Sequence, residues 1–514
     1  MLKVLVLSIS IGIIIMNIPR FLFIASFAWL SSLAVIYVVK RFIFPPAGPI
    51  EQITLNRSID FDCEPQDIKA TTTIVESPLA TWTFSTHGAS LEQLTYKREQ
   101  QDGATLLPVM QEVADHEREK RAFLVALDGK TPYYYQLKSV TEDTAKAVIT
   151  YTATSAHATI EKIYTVHKDS FQLDVALKII PASAQETSAR IFLPVPHLKD
   201  LGADDIMQAV VQDKQGSLQK IQRSSINTDS LWHPALIGVE DKFFANVLFK
   251  DSNAFVQHGF FHVVGSRELY AIVHGPTVAK ATEWHMSFYV GPKEEKALAS
   301  VDKHLEGLLE YSGILAPISK ILLKILNWLY AYVHNYGWAI IILTLVINLV
   351  LLPLNIKSLK SAKKSTEFHK KLEYLKQRYK NDPEAYAREQ ADLIAKHGMP
   401  LIGGCLPKLL QLPIFFALSR VLSNSLPLYK APFMGWIHDL SASDPYYILP
   451  LLLILTMLVQ APSGDIKQRF IIIAFALMFG TAALGFSAGL CLYMIVGLGL
   501  NVMQNFMTQK LKWL

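Results

Sequence analysis

Charge is scarce in this sequence. Asp, Glu, Lys and Arg make up 18% of its 514 residues, against about 25% in soluble domains. Cysteine is scarcer still: Cys63, Cys405 and Cys491 are the only three, far apart, which excludes a disulfide framework and a zinc-ligand spacing. No heptad or G-x-y period runs through the chain, and aromatics at 11% exclude disorder and collagen. A net charge of +5 is small for this length, which argues against sequence-specific nucleic-acid binding. What is abundant is apolar residue, at 51%. The apolar residues are segregated, as in a membrane protein with a large polar insert.

A transmembrane helix needs roughly 20 mostly apolar residues. Residues 1–44 read as an N-terminal membrane anchor region with two apolar stretches, 4–19 and 21–39. The second is expected to be an uncleaved anchor, since PPAGP follows it rather than a cleavage site. The first is a second crossing, half of a hairpin, or an upstream extension. Residues 45–300 read as an external all-β sandwich: many short strand signals, no span, and in FQLDVALKI an alternation of Phe171, Leu173, Val175, Leu177 and Ile179 after a Lys168–Ser170 turn. Residues 301–335 read as an amphipathic interfacial helix region. There Ile318, Ile321, Leu322, Ile325 and Leu329 oppose Lys320, Lys324 and Asn327; a helix packed on the sandwich is the alternative.

Residues 336–514 are expected to form an α-helical polytopic core of five spans. They are Trp338–Ile356, Cys405–Leu426, Tyr446–Gln460 and a charge-free run, Phe470–Gln509, that is too long for one crossing and must turn near Gly485–Gly489. Between the first two lies 357–398, with nine Lys and two Arg against six acidic residues. Its charge makes it cytoplasmic, and NDP at 381–383 breaks it into a helical hairpin. Such a hairpin attracts ribosomal RNA, acidic partners or anionic headgroups, or simply obeys the positive-inside bias. The sandwich is then external.

No catalytic constellation emerges, and no cofactor or metal site. His258 and His262 on one strand stand about 13 Å apart, too far to share a metal. The spans themselves carry polar stripes. Thr344, Asn348 and Asn355 share one helix face; Lys408, Gln411 and Ser419 share another; Tyr493, Gly497, Asn501, Gln504 and Asn505 share a third. One such stripe reads as interhelical hydrogen bonding, whereas three in one bundle read as a shared hydrophilic cavity. Only eleven uncharged residues separate Lys408 from Arg420. Either the bilayer is thinned there or Lys408 points into the cavity.

GGCLPKLLQLPIFFAL (403–418), APFMGWIHDLSASDPYYILP (431–450), YGWAIIILTLVINLVLLPL (336–354) and GFSAGLCLYMIV (485–496) closely resemble the bacterial YidC membrane protein insertases of the YidC/Oxa/Alb superfamily. YVGPK (289–293) and STHGASLEQLTY (85–96) resemble that family's external-domain markers. The resemblance implies an insertase and chaperone, not an enzyme, that places nascent membrane proteins into the inner membrane of a Gram-negative cell. It would do so through a cytoplasm-open hydrophilic groove, alone or with the SecYEG translocase and the ribosome, as a monomer among lipids. Thr344 and Tyr493 match family positions that meet the substrate, and Gln411 lies in the family motif. Three positions depart from the pattern: Asn348 stands where arginine is usual, Leu498 where asparagine is, and Met494 where a second aromatic is. Of the remaining cations within the spans, Arg420 lies toward the external end, and Lys408 either supplies the groove's positive charge or snorkels to the interface. On this reading the sandwich, which cannot touch a polar tail in a cytoplasmic groove, is dispensable for insertion. The alternative from another class is a membrane-anchored carbohydrate-active or carbohydrate-binding protein using the sandwich.

Overall fold

A computed structural model describes residues 59–62, 69–100, 103–110, 118, 120–182, 186–196, 207–264, 268–309, 315–380, 382–397, 406–460 and 466–510. The expected anchor region 1–44 lies outside them.

The first half is β structure. Nine strands form one antiparallel sheet, in the spatial order Leu218–Gln222, Gln208–Gln212, Leu236–Glu240, Phe244–Asp251, Thr282–Pro292, Gln172–Pro181, Ala158–His167, Lys146–Thr154 and Gln136–Glu142. Two four-stranded sheets and a two-stranded one complete the domain. The alternation read in the sequence is real: in Gln172–Pro181 the side chains of Leu173, Val175, Leu177 and Ile179 are buried and their neighbours are not. Strand Ala158–His167 alternates likewise and joins it through Lys168–Ser170. The sheets meet through aromatic rings, Phe84 against Tyr164 at 4.8 Å and Phe123 against Phe288 at 4.9 Å.

Both family markers have a physical reason. In STHGAS the chain turns through positive φ at Gly88 and Ala89. The Lys162 amine, fully buried, donates to the carbonyls of Gly88 (2.6 Å), Ala89 (3.2 Å) and Phe123 (2.9 Å). Burial in this apolar surrounding holds its pKa well below that of an ordinary lysine. In YVGPK the backbone of Gly291 lies against the Phe171 ring, where a Cβ would come within 2.5 Å of Cγ. Lys293 and Lys220 then share the buried Glu240 carboxylate at 3.3 and 2.8 Å, fixing where the last strand leaves the sheet.

The chain continues as α1 (Glu295–Val301), a 3-10 turn (Lys303–Leu308) and α2 (Ala316–Val333). Lys320 on α2 pairs with Glu295 and Glu306 at 2.7 and 2.9 Å. α2 differs from expectation in its face. Leu322, Leu326 and Leu329 are buried in the helical core, whereas Ile321, Ile325, Trp328 and Tyr332 are exposed. The helix packs on the bundle rather than the sandwich and keeps a second apolar stripe outward.

α3 (Tyr336–Arg378) is one 43-residue helix, capped by the Asn335 side chain, about 65 Å long at 1.5 Å per residue. The first expected span and the first arm of the hairpin are therefore a single rod, because no breaker follows Pro353 until the NDP turn. α4 (Pro383–His397) is the second arm. Four more helices follow: α5 (Leu406–Asn424), α6 (Ile448–Val459), α7 (Ile466–Ala482) and α8 (Ala488–Lys510). The charge-free run turns at Ala483–Gly485, close to the expected place. Tyr336–Ile356 is long and apolar enough to cross a bilayer, while the apolar stretches in the other four helices are shorter.

Candidate functional site

Two of the expected residues sit one turn apart on α3, facing α8. Thr344 and Asn348 are 0% and 4% exposed, and polar groups so deeply placed need partners. Their own helix supplies them. Thr344 Oγ1 donates to the Ile340 carbonyl at 2.7 Å, and Asn348 Nδ2 donates to the Thr344 carbonyl at 2.8 Å. Opposite them α8 presents Gly497. A Cβ built there would lie 3.8 Å from Thr344 Cγ2 and 3.9 Å from Asn348 Nδ2, so the glycine faces both residues and leaves room for a methyl group between the helices. Tyr493, buried, is one turn nearer the β domain, and Asn501, half-buried, is one turn further away. Thr344, Asn348, Tyr493 and Asn501 thus belong to one α3–α8 seam, with half-buried Gln504 continuing it. Ser419 stands on a different helix, α5, half-buried. The backbones of Lys408 and Gln411 fall in α5, but their side chains lie outside the described residues.

Packing along the bundle is graded. At the β-domain end Ala339, Ile340 and Leu343 of α3, Ala417, Leu418, Val421 and Leu422 of α5, and Ala488 through Tyr493 of α8 are all buried in one cluster with α2. Past Asn348 the character changes: Leu349 and Val350 are each 68% exposed. Among the described residues, none from Leu349 to Ile356, none on α8 beyond Gly497 and none from Leu412 to Phe416 is buried. The seam's polar residues stand at this boundary. The bundle is shut toward the β domain and loose at the far end.

Reading the sequence missed the lid over the shut end. The 425–447 loop pairs with the start of α8, where Ala488 N–H donates to the Ala442 carbonyl (2.7 Å) and Gly489 N–H to that of Leu440 (2.9 Å). It reaches α3 through Asn335, whose amide donates to the carbonyls of Pro432 and Phe433. Gly337 has no Cβ because Phe433 Cδ2 would be 1.9 Å from it. The loop ends by capping α6: the buried Asp444 carboxylate accepts from Leu449 N–H at 2.7 Å and Tyr446 N–H at 3.0 Å. That capping aspartate explains the DPYYILP motif. At the loose end Gln460, also missed, donates to the Leu498 carbonyl at 3.2 Å, tying α6 to α8. Its signal was a lone glutamine closing an apolar run. Among the described residues no group of three or more His, Cys, Asp or Glu could hold a metal ion.

Residues 328–513 match the 60Kd inner membrane protein family, and residues 72–325 match the YidC periplasmic domain family. The membrane protein insertase YidC of Geotalea uraniireducens is 28% identical over 93% of this chain and 97% of its own length. That of Coxiella burnetii is 30% identical over 68% of this chain and 66% of its own. That of Campylobacter jejuni is 39% identical over 45% of this chain and 44% of its own. The matches take in the β domain as well as the helices, so the carbohydrate-active alternative gives way to them. A periplasmic β domain, a helical inner-membrane region and full-length likeness to these proteins together establish that the chain belongs to the YidC family of membrane protein insertases.

Proposed function

We propose that the chain inserts nascent membrane proteins through the α3–α8 seam, and that α3 and α5–α8 form a five-span core anchored additionally by residues 21–39. The observation that carries this reading is the packing gradient. A bundle sealed beneath a lid at the periplasmic end and loose at the cytoplasmic end can admit a polar tail partway without opening a pore. Thr344, Asn348, Tyr493, Asn501 and Gln504 would meet the tail, with Ser419 and Gln411 on α5 alongside. Lys408 would supply the cation that Asn348 does not. Polar groups there lower the cost of bringing the tail into a low-dielectric space. Burial of about 20 apolar residues of the client in lipid supplies the drive.

The division into an anchor (1–44), periplasmic sandwich (45–300), interfacial region (301–335) and core with hairpin (336–514) follows the same logic. Exposed Trp328, Tyr332, Trp338, Tyr446 and Tyr447 cluster at the lid end, as aromatics do at a membrane–water interface. This supports placing the lid at the periplasmic surface of a multi-pass protein of the Gram-negative inner membrane. The basic hairpin meets incoming clients, ribosome or SecYEG, and the working unit is a monomer. Purified protein in anionic-lipid vesicles should insert a small single-span client without nucleotide. Insertion no faster than into protein-free vesicles would refute the proposal.

A further inference from the structure

The lid is held from both sides. Beneath it lie the helix contacts described above; above it lies the β domain. Arg98, on the strand Ser90–Gln100 and 8% exposed, sends Nη1 to two lid carbonyls, Leu426 at 3.2 Å and Tyr429 at 2.8 Å. At the other end of the lid Lys242 Nζ donates to the Ser441 carbonyl at 3.2 Å. Lys242 lies in the turn between Leu236–Glu240 and Phe244–Asp251. The Asp241 carboxylate shapes that turn by accepting from the N–H groups of Phe243 and Phe244, and the Phe243 ring lies 5.2 Å from that of Tyr429. Two cations of the β domain, one on a strand and one in a turn, thus grip the lid near its two ends, more than 300 residues along the chain from Arg98 in one case.

From this geometry we infer that Arg98 is a positioning residue for insertion: with Lys242 it clamps the 425–447 lid onto the bundle and so keeps the periplasmic end shut while a client's tail enters from the other side. The inference rests on the groove reading above. It gives the β domain a part in holding the lid, because both prongs belong to that domain. Both bonds leave from Nη1, at the tip of a side chain longer than lysine's, so a lysine ammonium at the same place keeps the charge and the donors but has a shorter reach. Arg98→Lys is therefore a partial clamp, and Arg98→Ala is none.

The chain contains its own reporter. Cys491 on α8, 0% exposed, lies two residues from Gly489, which bonds the lid at Leu440. In full-length protein carrying Cys63→Ser and Cys405→Ser, a membrane-impermeant maleimide applied from the periplasmic side should label Cys491 slowly. Arg98→Ala should raise that rate at least tenfold, Arg98→Lys less, and Lys242→Ala should raise it as well. In the same membranes Arg98→Ala should slow insertion of a client with a translocated polar tail at least threefold, with recovery in Arg98→Lys and no change for a client that translocates no tail. Unchanged labelling in Arg98→Ala overturns the clamp. If that variant does not accumulate, unchanged labelling in Lys242→Ala overturns it instead. Faster labelling with undiminished tail translocation overturns the positioning role. Failure of the unsubstituted protein to translocate any tail, with labelling still dependent on Arg98, would count against the groove reading and leave the clamp standing.

Discussion

Replacing Lys162 by methionine tests how the β domain carries a buried lysine amine among backbone carbonyls. The amine serves three backbone carbonyls: Gly88, Ala89 and Phe123. In the variant Ala89 keeps a donor, because the Tyr164 hydroxyl also reaches it at 2.5 Å. The carbonyls of Gly88 and Phe123 lose theirs, and an orphaned buried acceptor costs about 1–3 kcal/mol. Methionine needs no hydration, so relief from burying the amine offsets part of that. We expect a net loss of about 2–4 kcal/mol. One pKa-unit equivalent, about 1.4 kcal/mol, is tenfold in an equilibrium constant, so local opening should rise roughly 30- to 1,000-fold. Hydrogen exchange of the full-length protein, followed over peptides covering 85–96 and 121–127, reads this directly. The pH dependence gives a second reading. A lysine whose folded pKa is depressed binds fewer protons than its unfolded counterpart, so its contribution to stability grows as pH rises toward about 10.4. That rise should flatten in Lys162→Met. Exchange within about twofold of the unsubstituted protein, with the pH slope retained, would refute the reasoning.

Three further outcomes follow from the structure. Gly337→Ala should cost about 1–3 kcal/mol by overpacking, since its Cβ would strike Phe433, while Gly497→Ala, with 3.8 Å of room, should be near neutral; thermal unfolding in detergent compares them. His258 and His274 stack at 4.4 Å, and burial lowers both pKa values, that of His258 to about 4. Unfolded histidines take up protons from about pH 6.5 downward. The pair's contribution is therefore complete above that pH and lost as pH falls toward 4, and His258→Gln should flatten the fall in a melting series. Deleting the hairpin tip, residues 381–386, should lower client insertion while leaving membrane levels unchanged in a fractionation assay, and loss of the protein from the membrane would contradict it.

Much of the fold was legible because its signals are local. Period-two alternation marks Gln172–Pro181, the NDP breaker marks the hairpin turn, and missing charge marks the apolar helices. The continuity of α3 was less so, since a change from apolar to basic residues looks like a boundary although nothing in it breaks a helix. The faces of α2 were misdrawn for a related reason. An apolar side chain packs as well against a neighbouring helix as against lipid, and only the tertiary contacts separate Leu326 from Ile325. At the site, residue spacing aligned Thr344 with Asn348 and Tyr493 with Asn501. It could not show that Gly497 faces Thr344 and Asn348 across the two helices, because that depends on the tertiary packing. The lid and its grip by Arg98 and Lys242 rest on backbone carbonyls, which every residue carries, so no side-chain pattern announces them.

The most direct measurement is photo-crosslinking during insertion. A photoreactive side chain at Thr344, Tyr493 or Asn501 should form adducts with the polar tail of a stalled nascent client, whereas the same probe at Leu345 or Val346, both exposed on other faces of α3, should capture lipid. The account predicts that the seam positions capture the client and that adducts fade once the client is released. Equal capture from the seam and from Val346, or capture from Val346 alone, would contradict it.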